Sequence, residues 1–383
     1  MDDGRPVTGG KGGRASRRAP MLNARARALR LTFALMLTAT LIGLTTGLSA
    51  PRSAAATPIY LDKSYSFAER AADLVSRMTL AEKASQAVSS QAPAIPRLGI
   101  AAYGWWNEAL HGVSRLQYNP TGNATTLANT TSYPISLSLG SSWDPTLMYQ
   151  GGSLISDEAR EVVPNNSLNL DFYSPTINLE HDPRWGRNDE TYSEDPLLTA
   201  DIAAQFVNGM EGKSQTGQLL GQGAGYYKTL TTIKHYAANN SEVNRRTGSS
   251  DMDDRTLREY YTDQFRRIVQ QAHPGSIMSS YNSVNGVPAA ADVYLMDTLA
   301  RQTFGFQGYT TSDCDAIFEI VAGHHWQPPG YTRPVNNTDT AKPEIGKGTY
   351  TGAVRVRVSV LYRQRPTDVP VEVLRSAWVR LDN

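Results

Sequence analysis

Gly308-Tyr309-Thr310-Thr311-Ser312-Asp313-Cys314-Asp315-Ala316-Ile317 has the form of a strand that runs out into carboxylates. Tyr309, Thr310 and Thr311 are strand formers, and Asp313 and Asp315 follow where the strand would give way to a loop. Read alone, the stretch is a Ser-Asp turn opening a helix at Ala316 to Val321, because Ser and Asp cap helices well. Three earlier segments end the same way. Leu168 to Asn178 leads into His181-Asp182-Pro183-Arg184-Trp185-Gly186-Arg187, Thr229 to Ile233 into Lys234-His235, and Ser276 to Ser280 into Tyr281-Asn282. Each strand-like run ends in polar groups and is followed by a stretch that reads as helix. That repeat predicts an α/β chain, a (β/α)8 barrel of the TIM type, with its chemistry at the carboxyl ends of the strands. A doubly wound open sheet is the alternative, and no Gly-x-Gly-x-x-Gly or phosphate loop supports it.

Composition narrows the classes of partner. With 383 residues, a net charge of +1, and 19 Tyr and 6 Trp, the chain can bury a large core. Its charge balance gives no reason to expect nucleic acid or an anionic membrane. The single cysteine, Cys314, forms no internal disulfide and reads as a small side chain packed behind the strand end. Residues 1–56 read as a basic region and secretory signal: arginines up to Arg30, an apolar run Leu31 to Leu48, then Ser53-Ala54-Ala55-Ala56 with cleavage after Ala56. A membrane anchor is the competing reading, weakened by Thr38, Thr40, Gly43 and Gly47. The expectation is a secreted protein with no stable membrane insertion after cleavage. Residues 57–338 are assigned to the barrel and 339–383 to a divergent basic tail. In that tail Ala353 to Leu361 alternates like a strand with an arginine face.

The candidate site residues are spread along the chain. Ser66 to Ala87 predicts two amphipathic helices broken near Met78, with Thr79 to Glu82 as an internal capping box. Glu108 and His111, one helical turn apart, lack a third partner for a metal; Glu108 reads as an acceptor for ligand hydroxyls and His111 as structural. The charged segment His181 to Pro196 reads mainly as a solvated loop, from which a site would need one arginine. Lys234 and His235 could both reach the mouth and donate to sugar hydroxyls. Lys234 near Asp313 would also lower the aspartate's pKa. Asp251 to Gln271 predicts one helix, and Asn285-Gly286 a turn.

Taken together, five ordered motifs resemble glycoside hydrolase family 3, in particular its β-xylosidase-like branch: Trp105 to Gly112, Asp182 to Arg187 with Glu194-Asp195-Pro196, Lys234-His235 with Ala237 to Asn240, Ser280 to Pro288, and Thr311 to Ile317. The resemblance implies a retaining glycosidase with Asp313 as nucleophile. By the same resemblance Glu108, Arg184, Lys234, His235 and Tyr281 line the subsite of the sugar to be cleaved, with Arg187 and Asp315 less firmly matched. It implies an oligosaccharide substrate, xylo-oligosaccharides first and β-glucosides next, and neither a metal nor an organic cofactor. Family members of this kind take the acid/base from a second domain after the barrel, so that residue is unknown here. Nothing beyond about residue 338 matches, and the expectation there is a truncated or frame-shifted tail with the barrel incomplete at its C-terminal end. The alternative function is a catalytically impaired fragment that keeps only a sugar-binding barrel.

Overall fold

The computed structural model describes residues 57–86, 91–116, 125–126, 129–162, 170–220, 226–327, 353–362 and 371–380. The chain divides into two compact units, Met1–Thr57 and Pro58–Asn383, and the architecture below is that of the second. The signal segment lies outside the described residues. Among the described residues no helix is long and apolar enough to cross a membrane.

The centre is a parallel sheet of four strands: β1 (Asp171–Phe172), β2 (Leu230–Tyr236), β3 (Ser276–Ser279) and β4 (Tyr309–Ser312), in the order β4-β3-β2-β1. The register pairs Tyr309 with Ser276 and Ile233 with Ile277, so all four carboxyl ends lie along one edge. Beyond β1 the sheet is extended by a parallel bridge between Asn107 and Phe172. The Trp105 ring from that segment lies 6.2 Å from the ring of Tyr309 on β4, which brings the two ends of the sheet towards each other. The α/β class and parallel sheet are as the strand ends predict, whereas among the described residues that sheet has four strands and not the eight of a full barrel. Residues Ala353–Tyr362 (β5) do form a strand, but it pairs antiparallel with Val371–Arg380 (β6) in a sheet of its own and not with the edge of β4.

The helices follow from caps visible in the sequence. Helix α1 (Phe67–Arg77) starts at a capping box between Ser66 and Glu69, and α2 (Leu80–Ser85) at a second one between Thr79 and Glu82. Helix α3 (Pro145–Val162) packs against α4 (Pro196–Glu211), which is capped by Asp195 with Pro196 in its first turn and ends at Gly212 with φ 71°. The two helices meet through Gly152 and Gly209. A Cβ added at Gly209 would come within 2.3 Å of the Tyr149 carbonyl oxygen, so the backbones approach as closely as glycine allows. Ala203, Phe206, Val207 and Met210 of α4 then reach the shared core with Phe172, Ile233 and Ile277 of the sheet. Fully buried apolar side chains of this size contribute about 1.5–3 kcal/mol each, so this layer fixes the sheet on which the site is built.

The single helix expected over 251–271 is divided. A short turn at Asp254–Thr256 runs into a wide helical turn at Leu257–Tyr261, and α5 (Asp263–Ala272) follows Thr262. The Thr262 hydroxyl donates to the Leu257 carbonyl at 2.9 Å, competing locally for a main-chain acceptor of the helix. Glu211 and Lys213, both buried, close the amino end of the sheet. Glu211 accepts from the Thr231 amide and hydroxyl and from the Gly275 amide, while Lys213 donates to Glu211 at 2.5 Å and to the Ala272 and His273 carbonyls.

Candidate active site

Asp313 follows β4 directly. Its amide donates to the Ser279 carbonyl of β3 at 2.9 Å, and its carboxylate accepts the Cys314 amide at 2.8 Å, so main-chain bonds set its position at the carboxyl edge. Asp315, with φ 65°, turns the chain into α6 (Ala316–Ala322). Strand β2 runs through Lys234 and His235 to Tyr236, three residues past the apparent end at Ile233, and carries both side chains to the same edge. The Lys234–His235 peptide is cis. His235 Nε2 lies 3.6 Å from the Asp313 carboxylate.

His235 is a neutral acceptor on its site-facing nitrogen. The Asn178 side-chain oxygen receives the His235 amide at 2.8 Å and Nδ1 at 3.1 Å, while the Asn178 amide donates to the His235 carbonyl at 3.0 Å. An oxygen cannot donate, so Nδ1 carries the proton and Nε2 presents its lone pair, which accepts from Arg187 at 3.3 Å. Burial, reinforced by Arg187, Lys234 and Arg245, holds the ring well below the usual imidazole range. The approach of His235 to Asp313 is therefore not an ion pair. The expectation that His235 donates to ligand hydroxyls reverses: Nε2 accepts.

Lys234 Nζ donates to Glu108 at 2.8 Å, joining the two residues expected to bind hydroxyls. Both are largely buried, Glu108 keeping 22% of its side chain exposed at the mouth. Lys234 pulls the Asp313 carboxyl down, as expected, but does not decide the net direction. Burial raises the carboxyl above the usual aspartate range, against the pull of the Cys314 amide, Lys234, Arg187 and Arg245. Tyr281, just past β3, is 4% exposed, and no direct hydrogen bond joins it to Asp313. Burial and the Asp313 charge raise its phenol, keeping it protonated, and the Arg245 guanidinium sits 4.6 Å from its ring centre.

Arg184 stands apart. Its side chain is 88% exposed and bonded to Asp182 at 2.6 Å, two residues away, so the structure does not bring it to the others. Arg187, the less firmly matched of the two, reaches the position expected of Arg184, donating to His235 and making a two-pronged pair with Glu190 at 2.8 and 2.6 Å. Burial is the largest single effect on Glu190 and works against its charge, but the bond and charge of Arg187, with Lys234 and the Thr176 hydroxyl, together outweigh it and hold the carboxyl below its usual range. Asn178, Glu190, Glu242 and Arg245 were not singled out from the sequence. Only Asn178, at a strand end, carried a visible signal. Among the described residues no group of three or more His, Cys, Asp or Glu side chains forms a metal site. The assembled groups are a buried carboxylate at the strand end, a Lys-Glu pair offering one donor and one acceptor, and a neutral imidazole held by an arginine.

Residues 118–328 match the glycosyl hydrolase family 3 N-terminal domain. The chain is 37% identical over 279 residues to a probable exo-1,4-beta-xylosidase, bxlB, of Aspergillus flavus, covering 70% of this chain and 34% of that protein. It is 38% identical over 254 residues to the probable beta-D-xylosidase 7 of Arabidopsis thaliana, covering 65% and 33%. Among solved structures it resembles a GH3 exo-beta-xylosidase, XlnD, in complex with a xylobiose aziridine activity-based probe, with TM-score 0.62, 33% identity, and 70% of this chain and 34% of that one covered. It also resembles beta-glucosidase 3B of Thermotoga neapolitana in complex with glucose, with TM-score 0.54, 27% identity, and 66% and 35% covered. The chain spans about a third of the length of the curated relatives it matches. With the matched domain extending over more than half of its residues, and the strand-end carboxylate, Lys-His pair and loop arginine gathered at one edge, the chain belongs to glycosyl hydrolase family 3.

Proposed function

We propose that this chain carries the nucleophile and sugar subsite of an exported retaining glycosidase that removes terminal β-linked sugars from oligosaccharides, xylose foremost and glucose next. The observation that carries the reading is the Asp313 carboxylate, fixed by main-chain bonds 3.6 Å from His235 and facing Lys234 and Arg187. The Asp313 oxygen bonds to the anomeric carbon as the glycosidic C–O bond breaks, and the leaving oxygen takes a proton from an acid. Water then attacks the same carbon, and the ester to Asp313 breaks. Lys234 and Glu108 give a donor and an acceptor for neighbouring hydroxyls, and these contacts strengthen as the ring flattens towards an oxocarbenium ion. The xylose preference rests on the xylosidase relatives, and export on the order of basic, apolar and small residues in 1–56.

A second reading, a barrel that binds sugar without turning over natural glycosides, is favoured by one observation. The two carboxylates beside Arg187, Glu190 and Glu242, are both bonded to guanidiniums and are poor candidates for the proton donor. An activated aryl leaving group needs little protonation and separates the readings. The folded chain is expected to hydrolyse an aryl β-xyloside faster than the aryl β-glucoside and to be labelled at Asp313 by an activated 2-fluoro-xyloside, with both signals lost in Asp313→Asn. Labelling with no turnover of xylobiose selects the second reading. A folded chain that neither turns over nor labels defeats both.

A further inference from the structure

Glu242 lies on the loop after β2, where its carboxylate gathers donors from two loops: Trp185 Nε1 at 3.2 Å, Arg245 at 2.9 Å and Arg187 at 3.9 Å, with the Asn239 amide at 3.5 Å. Both arginines reach the site. Arg187 donates to His235 Nε2, and Arg245 lies against Tyr281.

The groups facing Asp313 come from every element around it. They are Lys234 and His235 of β2, Arg187 of the 181–195 loop, Arg245 of the loop after β2, Tyr281 after β3, Tyr173 after β1, and neighbouring Cys314. Three are cations. Lys234 has Glu108 as its own counter-ion, and Arg187 has Glu190. Among the described residues Arg245 has only Glu242 as counter-ion, which Arg187 also approaches, while neighbouring Arg246 pairs elsewhere, with Glu319. An isolated exposed ion pair stabilises little. Glu242 instead ties down two of the three cations around the nucleophile, together with the buried Trp185.

We propose that Glu242 is a positioning residue: by binding Arg187 and Arg245 together it fixes where the two guanidiniums stand and how much positive charge the Asp313 carboxylate faces. Its catalytic meaning rests on Asp313 being the nucleophile, but its measurement does not. In the full chain carrying carboxyl-13C aspartate, the Asp313 resonance is assigned by its loss in Asp313→Asn and titrated by NMR. Glu242→Gln removes a negative charge and leaves the arginines less neutralised, so the Asp313 midpoint should fall by about half a unit to one unit. Glu242→Asp restores the charge and should return the midpoint to that of wild type. A purely structural role would alter thermal stability and leave the midpoint in place. An unmoved or raised midpoint in folded Glu242→Gln overturns the proposal. Should that variant not fold, Arg245→Gln must raise the midpoint, and an unmoved value overturns it equally. A wild type that titrates as expected yet takes no 2-fluoro-xyloside label at Asp313 leaves this inference standing and defeats the glycosidase reading alone.

Discussion

Asp171 offers a quantitative test of the fold, away from the site. It is fully buried at the amino end of β1, where the Tyr309 hydroxyl donates to one carboxyl oxygen and the Thr232 hydroxyl to the other at 3.3 Å. Burial pushes its carboxyl from the ordinary 3.8 up to about 7. The Tyr309 bond opposes that rise, and the Glu211 charge adds to it. Over this window the folded state keeps a proton that the unfolded chain has released. Stability is therefore undiminished below 3.8, falls as pH rises towards 7, and levels off above it. From pH 5 to 8 about two units remain to be crossed, and at 1.36 kcal/mol per unit the loss is about 3 kcal/mol. Asp171→Asn keeps an oxygen for Tyr309 and turns an amide towards Thr232 but has no charge to bury. Urea unfolding of both proteins at pH 5, 6, 7 and 8 should show the variant gaining about 3 kcal/mol on the wild type across the series, with unchanged m-values. A constant difference between them at all four values would refute the reasoning.

Asp313→Asn should likewise raise the urea midpoint at pH 8, because it removes a carboxyl whose pKa burial has raised, and that gain should vanish below pH 3.8; a midpoint lower than wild type at pH 8 counts against it. Glu211→Gln leaves Lys213 buried without its counter-ion and should destabilise the chain by about 3–5 kcal/mol in the same measurement. Gly209→Ala forces α3 and α4 apart and should lower stability by about 1–3 kcal/mol, whereas Gly151→Ala, whose added Cβ meets nothing within 4 Å, should not. Arg184→Ala should leave the labelling rate of Asp313 within about twofold of wild type while Arg187→Ala lowers it by about tenfold or more, as expected from loss of a charge-assisted bond of about 1.5–3 kcal/mol.

Main-chain signals carried most of what could be read in advance. The capping box at Thr79 starts a helix where the letters indicate, and Asp313 follows β4 as its strand formers imply. Side-chain choices were harder. Arg184 and Arg187 sit three residues apart in the same charged loop, and nothing local says which turns inward. Asp182 decides it by capturing Arg184 through the shortest available loop, leaving Arg187 to cross to His235. Lys234 beside Asp313 suggested a lowered pKa. The opposite direction follows from desolvation, a property of how deeply the strand end is covered, which no spacing records. Glu242 and Arg245 lie in a loop without periodicity, so their convergence on Trp185 and Tyr281 had no sequence signature. The division of the helix at Thr262 depends on one hydroxyl finding a carbonyl five residues back.

Cys314 is hydrogen-bonded to Asp313 through its amide. The bond to the Asp313 carboxylate comes from the peptide nitrogen, and burial raises the thiol to about 11, far from a reactive anion at neutral pH. Any residue other than proline supplies the same peptide nitrogen, so serine or alanine can stand at this position with the Asp313 carboxylate still anchored. Since Cys314 is the one cysteine of the sequence, that exchange yields a chain without sulfhydryls. A spectroscopic probe could then be attached at a thiol introduced wherever the loops around Asp313 are to be watched.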